Sequence, residues 1–165
     1  MLGGSAAEKF YEFCDRYLGK HSATLNGTEL SYAVKFYSLA GGMLSSKLLL
    51  KLQRHVIERY EKGDLQVSEL TFIARIYAES GVTQSALFVL LAEQLSDPSK
   101  LDLNSFVDAY AALTTFKYST GSSTLFRAEI IELENILVHN LDKLPLKSVI
   151  DVYQSQIHLS SPVLP

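Results

Sequence analysis

The chain has 165 residues, and its 47% hydrophobic and 20% charged residues are typical of an ordered globular protein, not of a disordered or fibrous one. A net charge of -3 gives no overall attraction to nucleic acid or to an anionic membrane. The single cysteine, Cys14, excludes an internal disulfide. Membrane insertion is not expected, because every apolar run is much shorter than a membrane-spanning helix.

The first predicted element is a leading helix over 5–19. Ser5 and Glu8 have the spacing of a capping box, in which each side chain satisfies a backbone N–H of the other residue. Gly19 is expected to end this helix. Cys14 is expected to be a buried thiol that behaves as a small hydrophobic side chain, because its neighbours at helical spacing are Phe10, Phe13 and Tyr17.

A repeated line follows the leading helix, since TELSYAVKFYSLAG at 28–41 returns as SELTFIARIYAESG at 68–81. Four units open on a leucine with apolar residues after it at helical spacing, and we name these segments the A helices. The four anchor leucines are Leu25, Leu65, Leu101 and Leu144, so the steps between units are 40, 36 and 43 residues. A second apolar segment, the B helix, follows in the first three units and opens at 48–49, 87–88 and 125–126.

The predicted organisation is one helical-repeat domain over 1–158 with eight helices and a tail at 159–165. The A and B helices form pairs at 25–62, 65–96 and 101–141, and a closing helix follows at 145–158. Pro145 suits the first turn of that helix. Because one pair cannot bury its apolar face alone, the pairs are expected to stack into a short all-α solenoid. Glycines that suit helix ends lie between the segments, at Gly41, Gly42, Gly63, Gly81 and Gly121.

The repeat resembles that of a known group of proteins. A period of 36 to 43 residues, A helices of the type ELxxxAxxY and B helices that open on Leu-Phe resemble the organellar octotricopeptide, heptatricopeptide and pentatricopeptide repeats over roughly 25–155. The resemblance implies an α-solenoid, a mitochondrial location, and either RNA binding or a scaffold role in an assembly such as a mitochondrial ribosome or ATP synthase. A cytoplasmic location stays open as the alternative, since the start MLGGSAAEKF shows no targeting segment.

A short basic column is the feature that would suit RNA. Repeat proteins that read RNA present equivalent polar residues in successive units and hold the phosphates with Lys and Arg. Lys35 and Arg75 occupy equivalent positions and are candidate contact residues on one exposed column, but Ala111 and Gln154 follow in the next two units. The third B helix also carries an acidic trio that would repel phosphate, formed by Glu129, Glu132 and Glu134. RNA binding is therefore the alternative interpretation.

Binding to other protein subunits of a large complex is the favoured interpretation. Tyr37 and Tyr77 are matched aromatic residues on the first two A helices and are candidate interface anchors. The alternative is that such rings fill the core between stacked pairs. The acidic trio is a candidate docking surface. A short array with a lone helix at each end is also expected to expose apolar end faces unless a partner covers them.

Catalytic chemistry has no recognisable pattern in the sequence. The four histidines lie in different segments and none has metal-ligand spacing. The hydroxyl-rich run at 119–124 lacks the ending of a phosphate loop and is expected to be a turn that caps the next helix. We therefore predict a non-enzymatic protein with no catalytic residue, no metal site, no cofactor and no small-molecule substrate.

Overall fold

The computed structural model describes residues 5–82 and 84–160, and within those ranges the chain is all-α, with eight α-helices and no strand. The chain divides into two compact units, Met1–Gln66 and Val67–Pro165. We call them unit 1 and unit 2 and describe each by itself. The predicted helical class is confirmed. Stacking of the whole chain into a solenoid stays a prediction.

Unit 1 contains three helices, which are α1 (Ala6–His21), α2 (Gly27–Leu39) and α3 (Ser46–Glu61). Two capping boxes start the first two, because Ser5 pairs with Glu8 and Asn26 pairs with Glu29 through reciprocal side-chain and backbone hydrogen bonds. The core of the unit is aliphatic and is formed by the buried faces of α2 and α3, with Leu30, Val34, Leu48, Leu49, Leu52 and Val56.

A close backbone contact joins the start of α2 to the loop after α3. Gly27 donates its backbone N–H to the Asp64 carboxylate at 2.9 Å. A Cβ atom on Gly27 would lie 1.8 Å from the backbone oxygen of Asp64, a separation that no side chain tolerates. Only glycine therefore fits at the first position of α2 without a shift of the backbone.

Unit 2 contains five helices, which are α4 (Val67–Glu79), α5 (Ala86–Gln94), α6 (Leu103–Thr120), α7 (Arg127–Val138) and α8 (Leu146–Ser160). α6 lies at the centre, because it packs against α4 and α8 and also contacts α5 and α7. Its buried Phe116 stacks on Phe88 of α5 with ring centroids 4.0 Å apart. The three A helices of this unit are therefore packed in chain order, with α6 between α4 and α8.

Three predicted helix boundaries need correction. α1 continues through Gly19 to His21, because Gly19 is not left-handed and the chain runs on into a short 3-10 turn at Ser22–Thr24. The third B helix begins at Arg127, two residues after Leu125, where the Leu-Phe pair was expected to open it, because Phe126 adopts a left-handed conformation with φ 54°. α8 begins one residue after Pro145 and extends to Ser160, so it includes the first two residues of the predicted tail. The rest of the tail lies outside the described residues.

The predicted helix ends at the glycines agree with the structure. All five inter-helix glycines have a positive φ, from 58° at Gly41 to 90° at Gly42. In the hydroxyl-rich turn, Gly121 ends α6, and the Ser122 hydroxyl accepts a hydrogen bond from the backbone N–H of Leu125. The N-cap of α7 is Phe126, which makes no side-chain cap hydrogen bond, so the run at 119–124 forms the expected turn but the expectation that it caps α7 is wrong.

Candidate functional site

An open apolar groove lies between α1 and α2 in unit 1 and has a volume of about 480 Å³. Its walls carry few polar atoms. α1 contributes Phe10, Phe13, Cys14, Tyr17 and Leu18, and the segment that contains α2 contributes Leu25, Glu29, Tyr32, Ala33 and Phe36. Cys14 is only partly buried and is one of the residues that line the groove, so the expectation of a buried thiol is wrong.

The aromatic rings of the groove remain exposed. Phe13 is 58% exposed, Tyr17 51% and Tyr32 67%, and no residue of α1 is fully buried. Phe13 stacks on Tyr17 with ring centroids 5.8 Å apart, while Phe10 meets Phe36 of α2 edge to face at 6.4 Å. Ordered aromatic rings with one free face are typical anchors of protein interfaces. The groove therefore has the composition of a docking surface.

Basic side chains border the groove on both sides. Lys9, Arg16 and Lys20 are exposed and lie three or four residues along α1 from Phe13 or from each other, so they follow one edge of its aromatic face. On α2, the exposed Lys35 lies three residues after Tyr32. Among the described residues that line the groove, Glu29 is the acidic one, and one of its carboxylate oxygens accepts the backbone N–H of Asn26 at 2.8 Å. The exposed Glu12 lies three residues from Lys9 and four from Arg16 on the same edge of α1. The four cations outnumber these two carboxylates, so the rim has a net positive charge.

A polar feature of unit 2, which we call the Arg75 cluster, joins three of its helices. Arg75 of α4 donates from Nη1 to Asp108 of α6 and to Asp151 of α8, both at 3.0 Å, and from Nε to Glu79 at 2.8 Å. The Arg75 side chain is 19% exposed, and those of Asp108 and Asp151 are 22% and 13% exposed. One guanidinium thus ties the three A helices of the unit together.

The charge balance of the Arg75 cluster is visible in its pKa shifts. Burial lowers the pKa of Arg75, but the hydrogen bonds that Arg75 donates to Asp151, Glu79 and Asp108 outweigh this effect and raise that pKa above its ordinary value. Burial also raises the pKa of Asp108 above its ordinary value, because one guanidinium shared among three carboxylates offsets only part of the desolvation cost. Arg75 therefore remains charged, and the cluster carries an excess of negative charge when its carboxylates are ionised.

The basic column predicted from the sequence is partly assembled. Arg75, Ala111 and Gln154 line one cavity of about 290 Å³ beside the Arg75 cluster, so the equivalent positions of the last three units do meet. Arg75 is nevertheless mostly buried and held by carboxylates, so it does not share an exposed column with Lys35. The expectation of an exposed column is therefore wrong. Equivalent positions in the repeat do not show which side chains surround each cation.

The other candidate contact residues fall in different environments. Tyr37 is half-buried, whereas Tyr77 is fully buried, so Tyr77 is a core residue and the expectation that it anchors a partner is wrong. The acidic trio is divided between two faces of α7. Glu129 and Glu132 lie beside a small apolar recess, while Glu134 accepts a hydrogen bond from Gln156 of α8 at 3.1 Å. The trio is therefore not one docking surface.

The sequence contained a signal for the Arg75 cluster that the repeat analysis missed. Asp108 and Asp151 both lie seven residues after an anchor leucine, Leu101 and Leu144. An arginine followed in the next two units by acidic residues at one repeat position indicates a cluster in which one cation links the A helices. The basic rim of the groove could likewise have been found from the spacing of Lys9, Arg16 and Lys20 on a helix.

Comparison with protein-family models, with curated proteins and with solved structures gave no match. The resemblance to organellar repeat proteins therefore rests on the residues of this chain alone. Over residues 5–82 and 84–160, no group of three or more histidine, cysteine, aspartate or glutamate side chains is arranged to hold a metal ion. In the same part of the chain, each helix is too short or too polar to span a membrane.

Proposed function

We propose that this protein is a non-catalytic helical-repeat subunit that binds another protein through the groove between α1 and α2. The observation that supports this proposal is the exposed aromatic wall of α1, a helix in which no residue is fully buried. A helix that has no buried residue exposes most of its apolar face, which lowers solubility unless a partner covers it. The groove is the natural place for that partner.

The occupant that fits the groove is an amphipathic helix of the partner protein. The groove has apolar walls from both α1 and α2, so a third helix could bury its apolar stripe against Phe13, Tyr17 and Tyr32. The cationic rim formed by Lys9, Arg16, Lys20 and Lys35 favours acidic side chains on both flanks of that stripe. We therefore assign the groove to a helix with an apolar face and acidic flanks.

RNA binding, the alternative function, gains no support from these contacts. Arg75 is surrounded by Glu79, Asp108 and Asp151, so a phosphate that approached it would meet net negative charge. Lys35 lies beside aromatic residues of the groove rather than in a row of cations that crosses successive repeats. Membership of a mitochondrial assembly, such as an ATP synthase or a mitochondrial ribosome, is proposed from the repeat resemblance only.

Two designed helical peptides test the groove directly. They share one apolar stripe and differ only in their flanks, which are glutamate in one and lysine in the other. Fluorescence anisotropy with the full chain should show the glutamate-flanked peptide binding about tenfold more tightly at low salt, with a difference that shrinks as salt screens the rim. Equal or reversed affinities, or no binding of either peptide, would refute the assignment.

A matched pair of variants locates the binding. Phe13→Glu should weaken the glutamate-flanked peptide by at least about tenfold, because it places a charge in the apolar wall. Leu50→Glu is the control, because Leu50 of α3 is 42% exposed and does not line the groove. The Leu50→Glu variant should bind the peptide as tightly as the wild type does. Steeply salt-dependent binding of single-stranded RNA, unaffected by Phe13→Glu, would instead establish the alternative function.

Cross-linking in isolated mitochondria then tests the assembly. Amine-reactive cross-links from Lys9, Lys20 or Lys35 to an acidic helix of one resident protein would support the proposal. Cross-links that arise only from lysines away from the groove would contradict it, and absence of the protein from the organelle would refute the mitochondrial location.

A further inference from the structure

A second apolar surface runs along α8 in unit 2 and is separate from the groove. Its four residues are Leu146, Ile150, Tyr153 and Ile157, which are 75%, 48%, 56% and 62% exposed. The spacings of four, three and four residues place all four side chains on one stripe, as in the seam of a coiled coil. We call this surface the α8 stripe.

The opposite face of α8 is the one that packs into the unit. Val152 and Ser155 are 2% and 4% exposed, and Asp151 reaches Arg75 of α4. α8 therefore resembles α4 and α6 in the face that packs into the unit. It differs from them because its opposite face is exposed.

The positions equivalent to the α8 stripe are covered in the preceding A helices of unit 2. In α6, the equivalents of the last three stripe positions are buried, at Val107, Tyr110 and Thr114. In α4 they are buried as well, at Thr71, Ala74 and Ala78. These residues of α4 flank Arg75, which bonds to Asp108 on α6, so the following A helix covers them. The α8 stripe occupies the equivalent positions, but within the described residues no following helix is present to cover it.

We propose that the α8 stripe pairs with the α8 stripe of a second copy of this chain, with the two helices antiparallel. The stripe is symmetric about the point midway between Ile150 and Tyr153. A two-fold axis through that point places Ile150 opposite Tyr153 of the second copy, and Leu146 opposite Ile157 of the second copy. Every stripe residue then meets an apolar partner, which is the self-complementarity that a closed two-fold dimer requires.

The flanking residues also fit a second copy. The same axis brings Lys147 near Gln154 of the second copy on one side of the stripe and Val149 near Gln156 on the other side, so no pair of like charges is formed. Antiparallel helices bring ends of opposite partial charge together, which further favours this direction. A partner selected by charge would need a charged rim like that of the groove. Within Leu146–Ser160, Lys147 is the one charged residue that flanks the stripe, so the stripe is suited to an apolar partner of matching shape, which a second copy of the chain provides.

Sedimentation velocity or light scattering of the full chain, over concentrations on the order of 1 to 100 μM, tests the dimer. We expect a monomer–dimer equilibrium for the wild type. Ile150→Lys should raise the dissociation constant at least about tenfold, because it buries a charge opposite Tyr153 of the second copy. The matched control is Ile131→Lys on α7, since Ile131 has the same side chain and the same 48% exposure but lies off the stripe.

The outcomes separate the alternatives. A wild type that stays monomeric throughout would overturn the proposal and leave the stripe for a different protein. Loss of the dimer in Ile131→Lys but not in Ile150→Lys would place the interface elsewhere, and a mass that grows without limit would indicate head-to-tail association. Unchanged circular dichroism and thermal midpoints for both variants would show that folding is intact.

Cysteine cross-linking tests the direction of the pairing. In a Cys14→Ser background, mixed Leu146→Cys and Ile157→Cys chains should form a disulfide between the two different variants. Leu146→Cys alone should not cross-link, because antiparallel helices hold the two copies of position 146 about 16 Å apart along the axis. Efficient cross-linking of Leu146→Cys with itself would refute the antiparallel arrangement.

Discussion

Replacing Arg75 by methionine removes the cation that three helices of unit 2 share. Methionine keeps an unbranched apolar stem, so the change tests the charge more than the packing. The variant leaves Glu79, Asp108 and Asp151 with no common partner. Because Asp108 and Asp151 are only 22% and 13% exposed, water can solvate them only in part once the guanidinium is gone.

The expected loss in the free energy of unfolding follows from that burial. Removing one member of a buried ion pair costs about 3 to 5 kcal/mol. The Glu79 side chain is 49% exposed and regains hydration, so we expect the lower end, about 3 kcal/mol at neutral pH. Burial already raises the pKa of Asp108, and without Arg75 that pKa rises further. A carboxyl group with a raised pKa in the folded state favours folding when protonated, so the loss should shrink as the pH falls towards about 5.

Urea denaturation followed by circular dichroism measures this loss at both pH values. Lys35→Met is the matched control, because Lys35 has the equivalent repeat position but is exposed, and its effect should stay within about 0.5 kcal/mol. A loss below about 1 kcal/mol for Arg75→Met would mean that the cluster behaves as an exposed pair. A loss that grows on acidification would refute the charge argument itself.

Three further substitutions test other parts of the structure by urea denaturation. Asp108→Asn should stay within about 1 kcal/mol of the wild type at neutral pH and should remove the stability gained on acidification, because burial disfavours the charge of Asp108; a loss as large as that of Arg75→Met would contradict this. Gly27→Ala should cost about 2 kcal/mol, since its Cβ would collide with the Asp64 backbone, whereas Gly19→Ala should be neutral or stabilising, and equal effects would refute the steric argument. Tyr110→Phe should be neutral or stabilising by about 1 kcal/mol, because the buried Tyr110 hydroxyl has no hydrogen-bond partner among the described residues; a clear loss would reveal a partner.

The helices could be predicted from the sequence because their signals are local. Apolar residues at helical spacing predicted all eight helices of the described residues. Glycines predicted turns between several of them, and those glycines have a positive φ in the structure. One boundary was wrong at a residue that also makes a tertiary contact. Phe126 holds a left-handed conformation while its ring packs 6.1 Å from that of Phe116, and no local pattern shows this.

The candidate site was less accessible to sequence reasoning, because equivalent repeat positions do not have equivalent surroundings. Lys35 and Arg75 align, yet Lys35 is exposed and Arg75 is mostly buried. The unit after Arg75 supplies Asp108 seven residues past its anchor leucine, whereas the unit after Lys35 has Phe72 at that position. The burial of Arg75 thus depends on which residue the next unit provides. An alignment of positions records only that both are cations.

The two exposed apolar surfaces differ in a way that assigns them different partners. A short helical array was expected to expose apolar faces on its lone end helices, and α1 and α8 both do so. Apolar area supplies affinity without selecting a partner, whereas fixed charges at the rim reject the wrong one. The groove beside α1 has four exposed cations at its edges, so it selects against a second copy of its own rim. Within Leu146–Ser160, the α8 stripe is flanked by one cation, Lys147. Its residues are spaced symmetrically, so they can face the same residues of a second copy. We therefore propose a second copy of the chain as the partner of the α8 stripe and a different protein as the partner of the groove.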